Sequence, residues 1–132
     1  MNTIFREEWN LYLQGRTRSA FRGVEPKATN ASFDAPVKVG EVRVFADMNR
    51  PFVALVLEDK GKLGALIVPV SPFTVPASVR EVLVGTRVFQ LWNACTASRF
   101  FVARSWLVET LSEADIADVY NLCNSNRRYY RS

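Results

Sequence analysis

The sequence predicts a mainly β domain, a small barrel with flanking helices. Three observations predict it. Short apolar runs of strand length recur between turn residues, no strand–helix–strand alternation interrupts them, and one strongly signalled helix stands near the end. With 132 residues, 48% apolar and 23% charged, the chain suits one core of ordinary size and excludes wholesale disorder.

The elements follow in chain order. Phe5, Trp9, Tyr12 and Leu13 fall at i, i+4, i+7 and i+8, one stripe of an amphipathic helix over residues 3–14. Such a stripe docks a partner or packs on the domain's own core. Residues 15–38, with Gly15, Gly23, Pro26 and Pro36, read as an irregular arm. From Gly40 the texture becomes strand-like. Val42 and Val44 alternate with Glu41 and Arg43, which predicts a half-buried strand with Arg43 on its solvated face. Phe52 to Leu57 is continuously apolar and suits a strand buried on both sides. Asp47-Met48-Asn49 is turn-like, and Glu58 to Lys62 is a polar hairpin turn with Gly61 where a positive φ is needed. Gly64 to Val70 returns as a third strand. Val79–Val84, Arg87–Trp92 and Phe100–Val108 supply further strands. The closing helix has Ser112 as N-cap, Asp115 as a capping-box partner, and Leu111 with Ile116 as a hydrophobic staple. Ile116, Val119, Tyr120 and Cys123 then form the face laid on the barrel. The organisation expected is therefore a helix and arm over 1–38, a barrel with its helix over 39–124, and a basic tail over 125–132.

Composition narrows the chemistry. There is no histidine, which removes imidazole bases, Ser-His-Asp and Cys-His arrangements, and most zinc sites. Cys95 and Cys123 have no metal-ligand spacing and read as buried structural thiols. No cofactor or metal is expected. The formal charge of +4 comes from the ends. Residues 39–126 hold eight basic and nine acidic side chains, whereas Arg127, Arg128 and Arg131 close the chain without an acid. Arginines beside Tyr129 and Tyr130 suit phosphates and stacked bases, or a solvated tail. No apolar run is long enough to span a membrane, and the first residues lack the pattern of a secretory signal. A cytoplasmic protein is expected.

The order of the pieces resembles the PemK/MazF-like family. Gly40-Glu41-Val42-Arg43-Val44 followed by Arg50-Pro51-Phe52 and an apolar strand looks like the family's opening. Leu66-Ile67-Val68-Pro69-Val70-Ser71 is similar to its third strand, Gln90 to Arg99 to its later Gln- and Arg-containing region, and Leu107 to Val119, which opens a helix with Leu111-Ser112-Glu113, to its closing segment. The resemblance covers roughly residues 39–122. It implies an SH3-like β-barrel, a homodimer, and the toxin of a toxin–antitoxin pair that cleaves single-stranded RNA without metal. Position by position it makes Arg50 and Ser71 catalytic, the guanidinium on the scissile phosphate and the hydroxyl relaying a proton for the 2′-hydroxyl's attack. Arg43 and Arg99 would contact RNA, and an antitoxin-like protein would be a partner.

The sequence departs from the family in three places. The loop before Arg50-Pro51 is shortened to Ala46-Asp47-Met48-Asn49, Ser71 is followed by Pro72, and about forty residues precede Gly40. A degenerate relative is one alternative. A non-catalytic binding module is another, contacting protein or nucleic acid through its sheet face or the helix 3–14. In a third, residues 1–38 cover the groove. Trp92 and Trp106 would stack bases or fill the core, Arg99 would pair with RNA or with Glu109, and nothing brings Asp47 and Asp59 together.

Overall fold

The computed structural model of the chain describes residues 37–47, 50–73, 75, 76 and 78–130; at 46, 47, 50 and 126–130 it describes the backbone alone. The expected helix 3–14, the arm to residue 36 and the turn at 48–49 lie outside the described residues. The described chain is mainly β. Its strands are β1 (Glu41–Asp47), β2 (Arg50–Asp59), β3 (Ala65–Val70), β4 (Glu81–Val84), β5 (Arg87–Gln90), β6 (Cys95–Ala97) and β7 (Trp106–Thr110). Two helices accompany them, α1 (Arg99–Ala103) and α2 (Glu113–Tyr130).

The strands form one antiparallel sheet in the order β4-β5-β3-β2-β1-β7, with β6 pairing separately to β3. Apolar alternation fixes its register. Val42 and Val44 of β1 stand opposite Leu55 and Val53 of β2, which in turn face Val68 and Val70 of β3. These six side chains, with Phe89 and Val108, belong to one buried cluster on the sheet's inner face. Val119 and Cys123 of α2 join the same cluster, so the helix lies over the inner face, while Tyr120, expected on that face, is exposed. Ser112 caps it as expected, its Oγ accepting from the Asp115 N–H at 3.2 Å.

The opposite face is also buried. Phe45, Ala54, Val56, Ala65 and Ile67 form a second cluster, which Ala97 of β6 and Val102 of α1 complete. The central strands are thus covered on both sides, as the continuous apolar run of β2 requires.

Four expectations are corrected. The sheet is not a closed barrel: β4 and β7 end the strand path without pairing to each other. Closure needs a continuous ladder, and here β3 and β5 share the single register pair Val70↔Phe89. The sheet does curl, since Arg87 of β5 reaches Glu109 of β7 across the opening, with Nε donating to Oε1 at 2.5 Å. Second, Phe100–Val108 is not one strand. The Ser98 hydroxyl accepts from the Phe101 N–H at 3.1 Å and starts α1, and an apolar run of that length carries no periodicity to separate helix from strand. Third, Arg87–Trp92 stops as a strand at Gln90 and turns through a 3-10 segment at Leu91–Asn93, while Val79 lies outside β4 at 96% exposure. Fourth, residues 125–130, expected as tail, are the last turns of α2.

Glycine positions make the β2–β3 connection possible. Gly61 has the positive φ its turn was expected to need, at 62°, and Gly64 has φ 111°. A Cβ on Gly64 would sit 1.9 Å from the Ala97 carbonyl oxygen, so only glycine lets β6 close against this hairpin. Among the described residues no helix is long and apolar enough to cross a membrane.

Candidate functional site

The four singled-out residues fall in three places. Arg50 opens β2, its backbone paired with Asp47. Its side chain lies outside the described residues. Ser71 follows β3 directly, and its N–H donates to the Val88 carbonyl at 2.8 Å, tying β3 to β5. Since Val53 faces Val70 across the β2–β3 ladder, strand spacing puts the Arg50 and Ser71 backbones about 8 Å apart. The topology therefore brings these two positions to one end of adjacent strands. The Ser71 hydroxyl, however, is only 1% exposed with its residue, and it accepts the Phe73 N–H at 3.1 Å. That bond closes a local turn before the loop through Pro72, a common use of serine.

Arg99 lies at the other end. Its guanidinium Nη1 donates to the Gly61 carbonyl at 3.3 Å and stands 3.9 Å from Asp59 Oδ1, at the tip of the β2–β3 hairpin. β2 has ten residues, so Arg50 and this tip are about 30 Å apart along the strand. Lys62 is exposed on the same hairpin and Lys60 partly so. Three cations thus gather about the hairpin tip with Asp59 among them. Of the two partners expected for Arg99, RNA or Glu109, the second is held by Arg87, with Nη2 on Oε2 at 3.0 Å as well.

Arg43 is the largest surprise. It was expected on a solvated face, yet it is 1% exposed. The outer face that alternation assigned to water is roofed by α1 and the turn after it. Within that roof Arg43 Nε donates to Ser105 Oγ at 2.6 Å and Nη2 to the Ser105 carbonyl at 2.9 Å. Nη1 donates to Glu41 Oε1 at 3.2 Å, and the Ser105 hydroxyl donates a hydrogen bond to the Val102 carbonyl. The Lys38 N–H also donates to Glu41 Oε1, at 3.0 Å. Desolvation by burial pushes the guanidinium below its ordinary pKa, and the Glu41 carboxylate opposes that shift by charge and hydrogen bond. The group stays cationic at any physiological pH and acts as a rivet between β1 and the α1–β7 connection. Glu41 is two residues away, but Ser105 lies 62 residues along the chain, and no local pattern in the sequence singles it out.

The thiols divide. Cys123 is buried in the inner cluster as expected, whereas Cys95 is exposed. Its strand, β6, pairs with β3 alone and lies off the main strand path, which leaves the side chain uncovered. Among the described residues no three His, Cys, Asp or Glu side chains converge to hold a metal. No known protein family, curated protein or solved structure matches the chain.

Proposed function

We propose that this chain is a PemK/MazF-like protein whose open, curled sheet holds single-stranded RNA without cleaving it. The observation that carries this reading is a separation: the Ser71 hydroxyl is enclosed at one end of the sheet, while Lys60, Lys62 and Arg99 gather at the other. A nucleophilic or relaying hydroxyl must reach the ribose, and an enclosed one bonded to a backbone amide does not. Cations on a rigid hairpin, by contrast, neutralise phosphates wherever the strand passes.

The test is fluorescence anisotropy with a labelled single-stranded RNA of about 20 nucleotides, an ample length for a single cationic site. Replacing Lys60, Lys62 and Arg99 together by Ala should weaken binding at least tenfold. It should also flatten the dependence of log K on log salt by about 2, near 0.7 per lost phosphate contact. Undiminished binding by the triple variant overturns the reading.

A second reading rests on the Arg50–Ser71 proximity. There the Arg50 guanidinium stabilises charge growing on a scissile phosphate, and Ser71 is released when the segment after β3 moves. It requires metal-independent cleavage of single-stranded RNA that Arg50→Ala abolishes. RNA recovered intact after incubation with wild type decides against it.

A further inference from the structure

The hairpin tip carries apolar surface among its cations. α1 packs against the 3-10 turn Gly61–Leu63 there, and Arg99 fastens it through the Gly61 carbonyl. On this helix Val102 is buried in the outer cluster and Phe101 packs against it, whereas Phe100 is 51% exposed. Phe100 and Arg104 stand four residues apart and so share one helical stripe. The Arg104 guanidinium lies over the Phe100 ring, 5.1 Å from its centre. Leu63, beside Lys62 on the tip itself, is 76% exposed.

Lys60, Lys62, Arg99 and Arg104 are thus interleaved with exposed apolar side chains, with Glu58 and Asp59 at the end of β2. Asp59 is engaged within the tip, its Oδ1 accepting the Gly61 N–H at 2.8 Å. Cations alone hold any polyanion, and they favour a duplex, whose phosphates are the denser. A ring or a guanidinium plane at the surface takes the face of a base, which only an unpaired strand offers. The two tryptophans read as stacking candidates lie elsewhere. Trp106 packs against the inner cluster, and Trp92, though 52% exposed, sits on the 3-10 turn that packs against α2.

We propose that the Phe100–Arg104 pair is a base-stacking platform beside the hairpin tip. It rests on the reading of that tip as an RNA-binding site and adds the form of the ligand: a strand with at least one unpaired base laid against α1. The tip cations hold the phosphates and the platform selects single strand over duplex.

Fluorescence anisotropy of the full chain tests it, with a labelled RNA offered single-stranded and annealed to its complement. Phe100→Ala should weaken single-strand binding about tenfold, the usual worth of one stacked base. It should leave the dependence of log K on log salt unchanged, because no phosphate contact is lost, and it should erase the wild-type preference for single strand. Phe100→Trp, which keeps a π-face, should bind as wild type does, and Trp92→Ala should change nothing. If Phe100→Ala binds within about twofold of wild type while the Lys60, Lys62 and Arg99 triple variant is weakened, the platform is overturned and the cationic site stands. A salt dependence that falls in Phe100→Ala, or an equal loss in Trp92→Ala, also overturns it. Wild type that holds neither form of the RNA overturns the platform and the underlying reading together.

Discussion

The two faces of the central strands are buried to the same degree by different means. The inner face is apolar throughout, with Val42, Val44, Leu55 and Val68 meeting across the ladder and α2 laid over them. The outer face mixes a phenylalanine stack with a buried, ionised arginine. Apolar contacts are non-directional, so the inner face tolerates small shifts of its neighbours. A guanidinium with bonds to Ser105 and Glu41 tolerates none, because each lost bond leaves a charge in a poorly solvated place. The outer face should therefore be brittle and the inner face graded.

The largest test removes the rivet. Arg43→Ala strands the half-shielded Glu41 carboxylate and opens a void, and should cost about 4 kcal/mol in a urea unfolding series. Arg43→Met fills the space but leaves Glu41 unpaired all the same, so it should recover only the part of the loss that the void causes. If Arg43→Met recovers nearly all of the loss, packing and not the guanidinium's bonds holds the face, and the outer face is not brittle. On the inner face Leu55→Ala, at a position 0% exposed, should cost about 3 kcal/mol.

Ser105→Ala comes next in size. It removes the acceptor of Arg43 Nε but leaves the carbonyl bond to Nη2, so about 2 kcal/mol is expected. The double variant with Arg43→Ala should cost little more than Arg43→Ala alone, because the two groups serve one interaction. Additive losses would show that Ser105 acts through α1 and not through the arginine.

The same contrast explains what could be read in advance. Alternation at Val42 and Val44, the run Phe52–Leu57, the turn at Gly61 and the cap at Ser112 are local, and local physics placed β1, β2, β3 and α2. Arg43 also obeyed the alternation; what covers it comes from α1, which sits inside a run that reads equally well as strand. The open edge between β4 and β7 depends on how few pairs join β3 to β5, a quantity no window of sequence contains. For the candidate site, the order of motifs placed Arg50 and Ser71 at one end of adjacent strands. The bond of the Ser71 hydroxyl to the Phe73 N–H is a local turn, whereas the place of Arg99 at the hairpin tip depends on α1, 38 residues from Gly61.

The smallest effect asks whether the faces fail separately. Ser112→Ala removes the bond to the Asp115 N–H and should cost about 1 kcal/mol, the usual worth of such a cap. The first turn of α2 should then exchange its amides faster. Because α2 meets the inner cluster through Val119 and Cys123, loosening it disturbs that cluster, and any effect on Ser105 must pass through Trp106 and Val108 of β7. Amides around Ser105 should keep their wild-type exchange in Ser112→Ala. If they speed up together with α2, the sheet transmits disorder between its faces, and the division into a graded side and a brittle side fails.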